Sequence, residues 1–353
     1  MLIEATVDNR RTIEDARLCL SEGEHVRSRS LAALCPLLLL LASMSGCLSE
    51  SVEIAPESDE EVFATEPVDV RECFEYDGKE RCWFLHVPAN TSLEFCQEHS
   101  CPLLIDMHGR HVTAELQNNL SDFARVTDED HTILLHPEGI GLGWNFGWCC
   151  GEENDVGFLL TLIDHMVENR SADASRVYLS GWSNGCFMSQ EMAMVASHKI
   201  TAIACMAGYT VEPKSADYSP IPVMEFHGFL DPGVLYGHSS TASFQVAGTL
   251  EGDEGAIQNL YYWADANGCS GLVPDFETVE SDHSIKKFTD CENGSQAALY
   301  TLNLAQHNPY LNDYEGADGP FNEATLKGNP TGLDITATAW EFLREFDKDD
   351  AVA

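Results

Sequence analysis

One segment constrains the fold more than any other: Arg176-Val-Tyr-Leu-Ser-Gly181-Trp-Ser183-Asn-Gly185-Cys-Phe-Met-Ser-Gln. Its first half is β-forming text, and its second half begins a helical stretch running from Asn184 to Ser197. Only a tight turn separates the two. Glycine at both flanks of that turn, Gly181 and Gly185, is what lets a strand bend at once into a helix around a central side chain. A strand that feeds a helix in this way belongs to a parallel sheet covered by helices.

The rest of the chain repeats the alternation. Strands are predicted at Trp83–Val87, Leu103–Met107, Thr132–His136, Arg176–Ser180, Thr201–Met206, Pro222–His227 and Ala297–Leu304. Several are continuous apolar runs, as strands buried on both faces require. Helices are predicted at Asp155–Asn169, Asn184–Ser197, Gly255–Ala266 and Leu333–Phe346, the first with Val156, Leu159, Leu160, Ile163, Met166 and Val167 on one face. The fold class is therefore α/β, with a mostly parallel, doubly wound sheet and right-handed crossovers in a single domain over residues 71–348. No repeat of solenoid length interrupts it.

The turn itself points to chemistry. Ser183 would stand at a helix N-terminus above the strand ends, where open α/β sheets bind ligands. A serine hydroxyl becomes a nucleophile only when a base takes its proton, and that base needs an orienting acid. In this fold the chain order is Ser, acid, His, each at a strand's C-terminal end. Three histidines, His238, His283 and His307, follow an acid in that order, and only His307 follows directly on a late strand. Asp231, three residues after the strand ending in Gly228, is the acid expected. Oxyanion donors are expected from the backbone N–H groups of Asn184 and Arg110. His227 and His108, each before a glycine at a strand end, read as local loop hydrogen bonding. No metal or organic cofactor is needed, and no repeated CxxC or HxxxH spacing offers a zinc site.

The N-terminal part carries different signals. Leu31–Ala42 is an apolar run preceded by Arg27 and Arg29 and followed by Ser43-Met44-Ser45-Gly46-Cys47, the order of an export signal. Its Ser-Gly-Cys ending resembles a bacterial lipoprotein signal, with Cys47 the lipidated residue; cleavage near Gly46 without a lipid is the alternative. Residues 1–46 are thus an extension plus signal peptide, and residues 47–70 an acidic tether. An extracellular or cell-envelope location follows, with membrane contact only through an N-terminal lipid.

Export makes disulfides the expectation for the ten cysteines beyond Cys47. Asp77-Gly78 is a two-residue hairpin turn, and counting outward from it sets Cys73 opposite Cys82 at a non-hydrogen-bonded pair, close enough to bridge. Cys96 with Cys101, and Cys269 with Cys291, read as loop staples. Cys149, Cys150, Cys186 and Cys205 have no pairing that the sequence decides. Charge narrows the partners: 58 Asp and Glu against 19 Lys and Arg leave a net charge of −39. A phosphate backbone needs the cations this chain lacks, so nucleic acid is excluded. Neutral substrates are favoured over anionic ones, and a monomer is expected.

From Phe74 to Phe346 the chain resembles the secreted polyhydroxybutyrate depolymerase and feruloyl esterase family of α/β-hydrolases. The resemblance runs through Tyr76-Asp-Gly-Lys-Glu-Arg-Cys-Trp-Phe-Leu-His-Val-Pro88, Leu104-Ile-Asp-Met-His-Gly109, Pro137-Glu-Gly-Ile-Gly-Leu-Gly-Trp144-Asn145 and Trp148-Cys149-Cys150-Gly151. It continues in Asn154-Asp-Val-Gly-Phe-Leu159, the turn around Ser183, His227-Gly228 to Asp231-Pro232, and Asn267-Gly268-Cys269. It implies a Ser183, Asp231, His307 triad, a Cys269–Cys291 bridge, and hydrolysis of aliphatic polyesters or of acyl groups on plant polysaccharides. Cys186 stands where the family usually has a glycine, and His307 lacks the usual Gly-rich surroundings. Both departures fall where an acyl pocket would be shaped. Trp144, Trp182 and Tyr310 are candidates to line that pocket, with core packing the competing reading. A serine peptidase of the same fold and a non-catalytic surface-binding lipoprotein are the alternatives in function.

Overall fold

In the computed structural model the described residues are 66–147, 149–210, 213–237, 255–314 and 327–348, all within a compact unit that begins at Glu60. The signal segment, Cys47, most of the tether, Trp148 and His238 lie outside them.

Ten strands form one sheet: β1 (Val68–Tyr76), β2 (Lys79–Val87), β3 (Cys101–Met107), β4 (Ile133–Pro137), β5 (Ala172–Gly181), β6 (Ala202–Met206), β7 (Val223–Gly228), β8 (Phe276–Val279), β9 (His283–Phe288) and β10 (Ala297–Leu302). Their order is β1-β2-β4-β3-β5-β6-β7-β10-β9-β8. The six central strands from β4 to β10 run parallel, and an antiparallel hairpin closes each edge. This is the expected α/β-hydrolase architecture. The helices among the described residues are α1 (Leu93–His99), α2 (Ala114–Ser121), α3 (Ala124–Thr127), α4 (Asp155–Arg170), α5 (Asn184–Ala196), α6 (Ala256–Ala266) and α7 (Ile335–Leu343).

The pleat divides the core into two layers. Leu103 and Ile105 of β3 point to one face, where Leu159 of α4, Met192 of α5 and Trp263 of α6 cover them. Leu104, between them, points to the other face and joins Leu120 of α2 and Leu343 of α7. That period of two, with both faces covered, explains why Leu103, Leu104 and Ile105 are apolar in succession. Side chains cap the starts of α4 and α7: Asn154 accepts from the Gly157 N–H at 3.0 Å and Asp334 from the Ala337 N–H at 3.1 Å.

Differences from the sequence reading are local. β1 begins at Val68, so three residues assigned to the tether belong to the sheet. The β8–β9 hairpin was not expected, because Glu280 to Lys287 reads as a polar loop. In β9 the inward residues are Ser284, Lys286 and Phe288, and Lys286 is neutralised there by an ion pair with Glu277 on β8. Helices α1, α2 and α3 span 7, 8 and 4 residues, too short to impose a period on the sequence. The chain forms the bridges Cys73–Cys82, Cys96–Cys101 and Cys269–Cys291, and resolves the remaining four cysteines as Cys149–Cys150 and Cys186–Cys205.

Candidate active site

The turn after β5 is built by exclusion. A Cβ on Gly185 would lie 2.1 Å from the Met107 carbonyl oxygen of β3, and one on Gly181 would lie 2.6 Å from the Gly185 carbonyl. Both positions therefore demand glycine. Between them Ser183 adopts φ 54°, a left-handed conformation costing on the order of 1–3 kcal/mol that the surrounding contacts must hold in place. Its backbone N–H donates to the Met206 carbonyl of β6 at 2.7 Å, which fixes the turn across the neighbouring strand.

Three strand ends converge on this point. Ser183 follows β5, Asp231 follows β7 and His307 follows β10. A Cβ on Gly228, at the end of β7, would lie 2.1 Å from the Gln306 carbonyl oxygen, so glycine there lets the loops bearing the acid and the imidazole pack against each other. Nε2 of His307 lies 2.9 Å from Oγ of Ser183, and its Nδ1 lies 2.7 Å from Oδ2 of Asp231. A carboxylate only accepts, so Nδ1 carries the proton and Nε2 is free to accept from the serine hydroxyl. The other Asp231 oxygen accepts from the Gly233 and Val234 N–H groups at 2.7 and 2.9 Å. All three residues are buried, with Ser183 8% exposed and His307 1%. The arrangement can move a proton from serine to imidazole while the carboxylate holds the ring's orientation.

Asn184 is the first residue of α5, where the backbone N–H has no intrahelical acceptor. Its side chain faces the other way, accepting from the Trp144 N–H at 2.6 Å and donating to the Trp144 carbonyl at 3.0 Å. Arg110 lies in the exposed turn between β3 and α2. The start of that turn is braced by His108, whose Nδ1–H donates to the Gly109 carbonyl at 2.8 Å and whose Nε2 accepts from the Gly139 N–H at 2.9 Å. Burial pushes the His108 pKa down to about 4, so the ring is neutral when it makes both bonds.

The three aromatics expected to line a substrate pocket are all buried. Trp144 and Tyr310 are 0% exposed and Trp182 is 1% exposed. Each is spent on support: the indole N–H of Trp182 donates to the His307 carbonyl at 2.6 Å, that of Trp144 to the His108 carbonyl at 3.0 Å, and Tyr310 packs in the layer with α7, its hydroxyl 3.2 Å from Gln117 Nε2. Their size and proximity to the turn in sequence resemble pocket residues, but large apolar rings beside a buried turn gain more from packing. Two residues outside the expected set stand out instead. Glu225 and His227 occupy alternate positions of β7, both buried, and meet at 2.7 Å directly behind Asp231. Two ionisable residues two apart in a central strand form a signal that the sequence does carry.

No family model matches the chain. It is 28% identical over 222 residues to feruloyl esterase B of Piromyces equi, a match covering 60% of this chain and 40% of that protein. It is 29% identical over 153 residues to a bifunctional acetylxylan esterase/xylanase of Neocallimastix patriciarum, covering 43% of this chain and 22% of that protein. The matches thus span less than half the length of either relative. Among solved structures, an acetyl xylan esterase from Aspergillus awamori superimposes with a TM-score of 0.49 at 14% identity, covering 69% of this chain and 94% of that one. The chain is related to feruloyl and acetylxylan esterases within the α/β-hydrolase superfamily.

Proposed function

We propose that the protein is an exported serine esterase that hydrolyses carboxylic esters through an acyl-enzyme intermediate. The observation that carries this reading is the Ser183–His307–Asp231 hydrogen-bond chain, 2.9 and 2.7 Å long, at a strand-to-helix turn that only glycines permit. In the first half-reaction His307 Nε2 takes the Ser183 proton as Oγ attacks the ester carbonyl carbon. The developing oxyanion is held by the backbone N–H groups of Asn184 and Arg110. Collapse breaks the bond to the leaving alkoxide, which receives the proton from His307. Water then repeats the sequence on the acyl-serine, and the acid leaves.

The relatives' names support esters of plant polysaccharides, feruloyl or acetyl, as the substrate class, with aliphatic polyesters the other candidate from the family resemblance. Removing residues 1–46 leaves 52 acidic and 14 basic residues, a net charge of −38, so the mature surface would repel anionic substrates. The signal-like segment and five disulfides support export, with Cys47 as the lipid anchor. The test is turnover of p-nitrophenyl acetate and butyrate by the wild type and by Ser183→Ala. Equal rates would refute the enzyme and favour a binding lipoprotein. Parallel assays on methyl ferulate, acetylated xylan and polyhydroxybutyrate film then select the substrate.

A further inference from the structure

Behind the carboxylate of Asp231 lies a second imidazole. His227 is fully buried in β7, and the same Asp231 oxygen that receives His307 at 2.7 Å lies 3.5 Å from His227 Nε2. The groups around this Nε2 are acceptors. The Val234 carbonyl is 2.8 Å away, the Tyr209 oxygen is 3.3 Å away with its own proton given to the Leu235 carbonyl, and the third is Asp231 itself. Nε2 therefore carries a proton. The other nitrogen, Nδ1, faces Glu225 Oε1 at 2.7 Å, and Glu225 Oε2 accepts from the Asn259 amide of α6 at 2.7 Å.

We propose that His227 is a positioning residue, held as an imidazolium by Glu225, whose charge faces the Asp231 carboxylate and keeps it aimed at His307. This rests on the serine-esterase reading and adds to it a fixed charge that lies outside the triad. Glu225, His227 and Asp231 form a carboxylate, imidazolium, carboxylate sandwich in the interior. A buried anion is tolerated only beside an opposite charge or several donors. Asp231 has two backbone donors on one oxygen, and His227 supplies the charge beside the other. Among the described residues, the further titratable groups facing His227 are Tyr209, whose ring stacks on it at 5.2 Å, and Tyr236, edge-on at 5.7 Å. Neither brings a charge at neutral pH.

The two partners' own tendencies oppose each other. Burial raises the Glu225 pKa, which taken alone favours a neutral pair. Burial lowers that of His227, but the hydrogen bond and charge of Glu225, with Asp231 behind, outweigh it and leave the imidazole raised. The ionised pair is favoured because a neutral one would place an uncharged ring against the Asp231 carboxylate. No proton leaves His227 during catalysis; its charge sets how readily His307 becomes protonated.

Glu225→Gln separates the two states without changing volume. A glutamine amide can donate to Nδ1, as a protonated carboxyl would, and so would leave His227 neutral. With the imidazolium gone, the free enzyme holds a proton on His307 more tightly, and the acid limb of the kcat/KM profile on a neutral ester moves to higher pH by about half a unit to one unit. His227→Gln is expected to shift the limb likewise, and the double variant no further, since each removes the same charge. An unmoved limb in Glu225→Gln overturns the proposal, whatever happens to kcat. Should the variants fail to fold, ring nitrogen-15 NMR of the unsubstituted protein at about pH 8, above the ordinary imidazole range, is expected to show one buried histidine still doubly protonated. The absence of such a ring overturns the proposal. Loss of turnover in Ser183→Ala together with an unmoved limb rejects the role of His227 alone. If Ser183→Ala equals the wild type, the esterase reading fails, and the NMR then judges the imidazolium by itself.

Discussion

Asn184 pairs with Trp144 through both ends of its amide, accepting from the Trp144 N–H at 2.6 Å and donating to the Trp144 carbonyl at 3.0 Å. The residue next to the nucleophile thus imitates a strand partner for the loop carrying Cys149 and Cys150, tying that loop to the turn. Asn184→Ala keeps the backbone N–H but leaves two buried backbone groups of Trp144 unpaired. The expected result is a fall in kcat of about tenfold with a stability loss of about 1–3 kcal/mol, read from ester kinetics and urea unfolding. An unchanged kcat would show that the loop is held by its other contacts.

Gly185 tolerates no side chain. With the Met107 carbonyl 2.1 Å from where a Cβ would stand, Gly185→Ala must push β3 and α5 apart. We expect little soluble protein, or a thermal transition lowered by the equivalent of more than about 3 kcal/mol. A variant as stable as the wild type would contradict the packing described.

Asp231→Asn should leave the fold intact and remove activity. The amide cannot hold the Nδ1–H tautomer of His307 as a carboxylate does, and the expected loss in kcat is about 10⁴-fold, the order seen when the acid of such a triad is neutralised. Reactivity of Ser183 toward a fluorophosphonate probe should fall in parallel. Retained probe labelling at the wild-type rate would remove Asp231 from the relay.

Stability should depend on His108 in a defined acidic window. Its folded pKa, about 4, lies below the ordinary imidazole value, so the unfolded chain binds the proton more readily. The stabilising neutral form is complete above about pH 6.5 and is lost as pH falls toward 4, with a limit on the order of 3 kcal/mol. In urea melts across this range, His108→Gln should lose less stability than the wild type. Parallel loss in both would assign the acid sensitivity to other groups.

Much of the molecule was legible because burial on both faces leaves an unmistakable text. The apolar runs at Leu103–Met107 and Pro222–His227 became central strands, and Asp155–Asn169 became a helix one residue longer. The edges were less readable. β8 and β9 face solvent on one side and hide an ion pair on the other, so Lys286 gave no sign of being inside. In the site, chain order together with placement at strand ends brought Ser183, Asp231 and His307 into one candidate set, and the structure places them within hydrogen-bond reach.

The local requirements of this protein, where glycine must stand and where a serine can be raised above a sheet, are decided by sterics within a few residues and can be read from the chain. The Asp77-Gly78 turn likewise sets Cys73 across from Cys82 by counting alone. What surrounds the nucleophile is decided at long range. Trp182 could have faced solvent or core, and only the packing of β10's loop makes it the support of His307, 125 residues away. The pairing of Cys186 with Cys205, and the meeting of Glu225 and His227 with Asp231, depend on which strands become neighbours. Sheet order is settled by the burial of whole faces, a property of the assembled layers that no short segment contains.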